Sequence, residues 1–237
     1  MASSSLEDQD PPPYVAGSHT DSDDILQPII LILTGQFVRP QTVAGTPLYE
    51  LSRDIRTSST SATQLAQVSL ERLIHNVRVS YDGTPRVTQR SRHIFELKHL
   101  PPVMSTEFTY CLDAMSRHAM GNLALKTFSF PRSGFKIVKI RPEDEYAFPK
   151  GYNARQESLK EGELIFEVFK KSGHFKWMSP QGNLLAIEDK SEDHHRLVVT
   201  VPVTRRTMDA MIASWCLRLW RDTIKSNYQP RTIYRST

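Results

Sequence analysis

The most informative part of this sequence reads Met208-Asp-Ala-Met-Ile-Ala-Ser-Trp-Cys-Leu-Arg-Leu-Trp220. Wound as a helix, it is apolar around most of its circumference, and such a helix is buried instead of lying on a surface. Thr204 fits an N-cap, and Asp209 lies near the positive end of the helix dipole. The pattern predicts a helix over about 205–225, which is too short and too charged at its end to be a typical transmembrane helix.

The residues before this helix alternate in the manner of β-strands. Ser172-Gly173 fits a two-residue hairpin turn, which places Lys171 opposite His174 and Val168 opposite Trp177. Cross-strand partners share a face. The register therefore predicts one apolar face, made by Leu164, Phe166, Val168, Phe175 and Trp177.

Further strand signals begin at residue 28. Pro28-Ile-Ile-Leu-Ile-Leu33 is a short apolar run, which predicts a strand buried on both faces. Asp82-Gly83 is typical of a second hairpin turn, whereas residues 103–122 fit a short helix and an irregular insertion equally well. A closed antiparallel barrel removes sheet edges, and its lumen can hold the apolar helix. We therefore predict a mainly β fold, a barrel of about 11–12 antiparallel strands that encloses the C-terminal helix.

This combination resembles the tubby C-terminal-like fold, which is shared by tubby proteins, plant LURP-one-related proteins and phospholipid scramblases. Segments such as Thr46-Pro-Leu-Tyr-Glu-Leu-Ser-Arg-Asp54, Gln89-Arg-Ser-Arg-His-Ile-Phe-Glu-Leu-Lys98 and Met208–Trp220 are also similar to fungal proteins of this type. The resemblance covers roughly residues 28–225. It implies binding of phosphoinositides by basic residues on the barrel. Scramblases carry a C-terminal membrane helix that this sequence lacks, which argues against scrambling activity.

Charge divides the 237-residue chain into a tail and a body. Residues 1–24 hold six acidic side chains and no Lys or Arg, and the rest holds all 30 basic side chains and 20 of the 26 acidic ones. The net charge of +4 is thus the sum of an acidic tail and a +10 body. We predict a disordered tail over 1–24, a barrel domain over 25–228 and a short C-terminal tail over 229–237.

The N-terminal tail contains one short interaction motif. Pro11, Pro12 and Tyr14 form a Pro-Pro-x-Tyr sequence that resembles the ligand of WW domains. Prolines favour the polyproline II conformation, which loses little entropy on docking into an aromatic groove. The motif predicts recruitment of a WW-domain protein such as a ubiquitin ligase; the alternative is a solvated tail without a partner.

Basic side chains provide the candidate binding sites of the body. One group on a predicted strand is Lys136, Lys139 and Arg141, with Lys136 facing opposite to the other two. A second group, Lys171, His174 and Lys176, shares the outer face of the 172–173 hairpin. A third set consists of Arg72, Arg78, Arg86, Arg90 and Arg92. The first two groups are the candidate residues for an anionic lipid surface, and the alternative is that they are solvated. Nucleic acid is disfavoured, because no interleaved aromatics or recognition motif accompany the charges.

Catalytic, metal and cofactor motifs are absent from the sequence, so we expect a non-enzymatic protein without a cofactor. The alternative is a hydrolase-like enzyme built around His194 or His195, which would need a deep pocket that gathers these histidines with carboxylates. A purely structural or interaction protein is the third possibility. Cys111 and Cys216 lie in apolar surroundings and are expected to be buried and inert. Without a secretory signal or membrane span, the predicted location is the cytoplasm or nucleus, with peripheral membrane association.

Overall fold

The computed structural model describes residues 24–42, 45–57, 65–79, 81, 83–100, 108–129, 133–142, 159–190 and 194–228. The predicted tails, apart from Asp24, lie outside these residues. The strands in chain order are β1 (Ile25–Leu26), β2 (Ile29–Thr34), β3 (Phe37–Pro40), β4 (Tyr49–Leu51), β5 (Ala66–Val79), β6 (Pro85–His99), β7 (Tyr110–Ala114), β8 (Leu123–Phe128), β9 (Gly134–Pro142), β10 (Leu159–Lys171), β11 (His174–Met178), β12 (Leu184–Lys190), β13 (His195–Val199) and β14 (Val203–Thr204). Helix α1 (Arg205–Tyr228) follows them.

Within the described residues, twelve strands form a closed antiparallel barrel in the order β10-β11-β12-β13-β2-β3-β4-β5-β6-β7-β8-β9, with β9 paired to β10. The two remaining strands, β1 and β14, form a separate antiparallel pair. The predicted fold class is therefore confirmed: the protein is mainly β, with a closed barrel and a C-terminal helix. Residues 103–122, which fitted two interpretations, contribute β7.

Helix α1 occupies the interior of the barrel. Its middle, from Ala210 to Leu217, has no solvent exposure on any face. One apolar core joins this helix to side chains from all twelve barrel strands, among them Leu31 of β2, Phe95 of β6 and Trp177 of β11. Thr204 caps the helix, because its Oγ1 accepts a hydrogen bond from the Thr207 N–H at 3.2 Å. A helix that is apolar all round is thereby buried on all sides, as its sequence predicted.

The two turn residues between β10 and β11 set the register in which these strands pair. Ser172 and Gly173 both have positive φ angles, 51° and 85°, as a two-residue turn of this kind requires. The predicted pairs Lys171–His174 and Val168–Trp177 are present. The hairpin predicted at 82–83 also forms, as the connection between β5 and β6.

Two details of the predicted strands were wrong. Leu164 does not share the inner face of Phe166, because the β9–β10 ladder shifts register on both sides of it, and it packs against a separate cluster around Val138. The run at 28–33 is buried on one face only. Leu31 and Leu33 point inwards, whereas Ile30 is 40% exposed, because none of the described residues covers the outer face of β2 there.

The direction of the strands defines two ends of the barrel. We call the end at which α1 begins the N-end and the opposite one the C-end. Ala66, at the start of β5, pairs with His99, whose ring centre lies 6.5 Å from that of Trp220. Arg72, further along β5, instead bonds Asp209 in the first turns of α1. β5 therefore runs towards the N-end. Arg218, near the end of α1, stacks on Phe175 just after the β10–β11 turn. The β5–β6 connection therefore lies at the N-end, and the β10–β11 turn lies at the C-end. Across the described ranges, no helix combines the length and hydropathy that crossing a bilayer requires.

Candidate anion-binding surfaces

The two predicted groups of basic residues lie at different ends of the barrel. Arg141 pairs with Lys160 at the start of β10, whereas Lys171 ends the same strand. Eleven residues of extended chain separate these positions by on the order of 30 Å. Lys139 and Arg141 thus belong to the N-end, and Lys171, His174 and Lys176 belong to the C-end. The structure does not bring the six predicted residues together.

The group on β9 is partly neutralised. Lys139 forms an ion pair with Glu163, whose pKa is held below its ordinary value by the hydrogen bond from that lysine. Lys136 lies on the opposite face, as predicted, with its Nζ 5.9 Å from the centre of the Phe128 ring. Arg141 is exposed. This strand therefore offers two separate cations on two faces.

The group at the C-end is exposed but lies beside an acidic side chain. Lys171 and His174 are exposed, and Lys176 is half-buried. Asp189 lies within electrostatic range of His174, and the Arg196 guanidinium, which hydrogen-bonds this carboxylate at 2.8 Å, holds its pKa below the ordinary value. The surface around the hairpin thus holds its cations beside one carboxylate, which is paired with Arg196.

A third group of exposed positive charges lies on an extension of β5 and β6. Every described residue of 76–79 and 83–91 is exposed, so this part of the hairpin leaves the barrel wall as a two-stranded ribbon. We call it the arm. It grows from the N-end, and its base is tied to the wall by a contact between His75 Nε2 and the carbonyl oxygen of Pro47 at 3.0 Å.

The register of the arm gives it two chemically different faces. Val77 pairs with Val87 and Val79 with Pro85 on one face, and these valines are 65–71% exposed. Arg78 pairs with Arg86 on the other face, where Arg90 also lies. The arginine cluster is visible in the sequence, but its faces follow from the pairing of β5 with β6, which the sequence analysis did not derive.

Two of the clustered arginines are not surface charges of the arm. Arg72 is 5% exposed and donates a hydrogen bond to Asp209 at 2.8 Å inside the barrel. Arg92 is half-buried. The exposed basic face therefore consists of Arg78, Arg86 and Arg90. Within the described part of the chain, none of these three forms an ion pair.

A cavity of about 420 Å³ at the C-end tests the alternative of an enzyme around the histidine pair. His195 lines this cavity together with the carboxylates of Glu188, Asp189 and Asp222, whereas His194 is exposed. All three carboxylates are engaged by arginines: Glu188 and Asp222 by Arg218, and Asp189 by Arg196. The carboxylates of this cavity are therefore held in ion pairs with arginines, and among the described residues no group of His, Cys, Asp and Glu could hold a metal. The enzyme alternative stays a prediction.

Arg218 is buried at this end of the barrel, next to the cavity. It is 3% exposed, its guanidinium lies 4.5 Å from the centre of the Phe175 ring, and burial lowers its pKa to about 10. An arginine that is still charged near neutral pH and holds two carboxylates fixes the end of α1 to the barrel wall. The cavity beside it is therefore built mainly from structural ion pairs.

Both cysteines are buried, as predicted. Cys111 is 3% exposed in the cluster around Val138, and Cys216 has no exposure in the middle of α1. Burial raises the pKa of each thiol to about 12. A thiol in this state is neither a nucleophile nor a metal ligand near neutral pH.

The remaining predicted site lies outside the described residues: Pro11, Pro12 and Tyr14 belong to the N-terminal tail. Recruitment of a WW-domain protein by these residues stays a prediction. Comparison of the chain with protein-family models, curated proteins and solved structures finds no match, so the likeness to the tubby C-terminal-like fold also stays a prediction.

Proposed function

We propose that this protein is a non-enzymatic module that binds an anionic phospholipid surface through the N-end of its barrel, with the arm as the main contact. The observation that carries the proposal is the division of the arm into an apolar and a basic face. Arg78 and Arg86 stand directly opposite each other, which destabilises a β-ribbon by itself. An external layer of negative charge would relieve this repulsion.

A bilayer interface suits both faces at once. Val77, Val79 and Val87 can enter the region between the headgroups, where their exposed apolar surface leaves water. Arginine side chains are long enough to reach phosphate groups from the other face of the ribbon. Each basic side chain near an anionic leaflet contributes about 1 kcal/mol, so three arginines contribute about 3 kcal/mol, or roughly 100-fold in affinity.

Vesicle flotation tests this proposal with two matched variants. The first, R78Q/R86Q/R90Q, removes three charges from the arm. The second, K136Q/K171Q/K176Q, removes three charges from the strands β9 to β11. Phosphatidylcholine vesicles are used alone, with phosphatidylserine and with a phosphoinositide.

We expect the wild-type chain to float only with anionic vesicles. The affinity of the arm variant for these vesicles should be roughly 100-fold lower, whereas the affinity of the second variant should fall by no more than a few fold. If the second variant lost more vesicle affinity than the arm variant, the interface would instead lie at the C-end and on the outer face of the barrel. Equal behaviour of the wild-type chain with neutral and anionic vesicles would reject lipid binding altogether.

The tail supplies the second half of the proposal, recruitment of a WW-domain protein to the surface that the barrel binds. It is supported by the Pro-Pro-x-Tyr sequence in a segment that is rich in acidic and polar residues. A peptide of residues 1–24 should bind a WW domain in fluorescence anisotropy, and its Tyr14→Ala form should not. Equal binding of both peptides would refute recruitment through this motif.

A further inference from the structure

A cavity of about 340 Å³ opens at the N-end of the barrel, where α1 enters the lumen. Its inner wall is made by Leu31, Met208 and Ile212, which are at most 3% exposed. Leu26 and Ile29 lie on the side of β1 and β2, and Leu48 lies beside β4. We call it the N-end pocket. Of the described residues that line it, only Arg205 is charged.

The described residues of the inner wall, Leu31, Met208 and Ile212, carry no polar side-chain group, and the amide of Gln27 belongs to an exposed residue of the lining. The one hydroxyl in its wall, that of Tyr49, donates to Asp209 Oδ1 at 2.6 Å and is therefore already used. Apolar cavities without hydrogen-bond partners do not hold water well. Since a liquid water molecule takes about 30 Å³ and a methylene group is similar in size, the volume corresponds to roughly eleven methylene groups.

Arg205 supplies a positive charge where the pocket meets the helix. Its backbone N–H is taken by the carbonyl oxygen of Asp24 at 2.7 Å, but its guanidinium forms no ion pair within the described residues. Asp209, one turn further along α1, is occupied by Arg72 and Tyr49. Arg205 lies within electrostatic range of Asp209, and it is the one charged residue among the described residues that line the pocket. Its guanidinium is therefore the group that we match to an incoming anion.

The pocket and the arm lie at the same end of the barrel. Tyr49 pairs with Arg72 on β5, the strand from which the arm extends. The Leu73 N–H donates to the carbonyl oxygen of Leu48, so a pocket residue and the root of the arm are bonded neighbours. A surface held by the arm is thus close to the pocket mouth.

We infer that the N-end pocket binds one aliphatic chain of an anionic amphiphile, with the negative headgroup at Arg205. The chain can come from a membrane lipid, and to that extent the inference rests on the proposed function; it can also come from a free fatty acid. In either case the chemistry is the same: a saturated chain of about ten to twelve carbons fits the volume, and a carboxylate or phosphate matches the guanidinium.

Titration calorimetry with dodecanoate, below its micelle concentration, tests the inference on the full chain. We expect one site, with affinity that falls about fourfold for each methylene removed between dodecanoate and octanoate. Arg205→Gln should weaken binding at least tenfold. Arg206→Gln is the matched control, because Arg206 is the next residue of α1, is exposed and does not line this pocket. Leu48→Trp should fill the pocket and abolish binding.

Further measurements separate the sources of the ligand and the two proposals. Tighter binding of lysophosphatidate than of dodecanoate assigns the pocket to lipid headgroups with phosphate, and the reverse order assigns it to fatty acids. Leu48→Trp should still float with anionic vesicles, and the arm variant should still bind dodecanoate. Absence of dodecanoate binding by the wild-type chain, or equal binding by Leu48→Trp with an unchanged melting temperature, would overturn the inference, whatever the vesicle result.

Discussion

Asp209, in the first turns of α1, is a carboxylate buried inside the barrel, and its removal gives the sharpest test of the structure. This carboxylate is 2% exposed; it accepts one hydrogen bond from Tyr49 at 2.6 Å and another from Arg72 at 2.8 Å. Asp209→Ala would remove this carboxylate from a buried guanidinium, that of Arg72, and would leave the buried Tyr49 hydroxyl without the acceptor that it uses here.

The expected cost follows from these two losses. Breaking a buried ion pair by removing one partner costs about 3–5 kcal/mol, because the remaining charge stays in a medium of low dielectric. The orphaned Tyr49 hydroxyl adds about 1–3 kcal/mol. A sum of about 4–8 kcal/mol is a large part of the 5–15 kcal/mol that stabilises an ordinary domain. We therefore expect Asp209→Ala to be unfolded or marginally folded at room temperature.

A compensated variant distinguishes burial of charge from simple loss of contacts. The triple variant Y49F/R72M/D209L replaces all three groups with apolar ones of similar size, and such replacements are often neutral or stabilising. Its stability should lie within about 2 kcal/mol of the wild-type chain. Tyr49→Phe alone leaves the ion pair intact and should cost about 1–3 kcal/mol.

Urea unfolding followed by tryptophan fluorescence measures these differences, since Trp177, Trp215 and Trp220 are all fully buried and report on the lumen. If Asp209→Ala lost less than about 1 kcal/mol, or if the triple variant were no more stable than it, the carboxylate would not be desolvated inside a closed barrel. The position of α1 would then be wrong.

Two further predictions concern the wall and the thiols. Cys111 and Cys216, each with a pKa of about 12, should fail to react with a disulfide reagent at pH 8 in the folded protein and should both react in urea; fast reaction of either in the native state would contradict its burial. Gly134→Ala should cost about 2–3 kcal/mol in urea unfolding, because an added Cβ would overlap the carbonyl oxygen of Val168. Gly35→Ala, where nothing lies near the added atom and only the φ of 57° is strained, should cost about 1–2 kcal/mol; equal costs would deny the tight β9–β10 contact.

The fold was predictable where local and global signals agreed. Ser172-Gly173 selects a two-residue turn, and alternation on both sides fixes the same register, so the pair Val168–Trp177 could be derived from the sequence. Leu164 could not be placed in this way. The register shifts around it depend on how β9 and β10 curve together in the closed wall, and a bulge leaves no mark in the alternation of one strand.

The sequence predicted which residues of the candidate site are basic, but not how the fold arranges them. The arginines at 72–92 are visible as a cluster in the sequence, but their faces depend on the register of β5 against β6. Lys139 and Lys171 are equally basic in the sequence, yet one forms an ion pair with Glu163 and the other lies at the opposite end of the barrel. The N-end pocket is made by residues from β1, β2, β4 and α1, which only the closed barrel brings together.

Two buried ion pairs hold α1 in place inside the barrel. Arg72 with Asp209 near the N-end, and Arg218 with Glu188 near the C-end, connect α1 to opposite ends of the wall. An apolar helix in an apolar lumen has few directional contacts, and these pairs fix its position along the barrel axis and its rotation. Arginines used in this way are enclosed with their carboxylates, so they contribute nothing to the external field. The exposed arginines of the arm and Arg205, by contrast, form no ion pair within the described residues, and both the arm and Arg205 lie at the N-end.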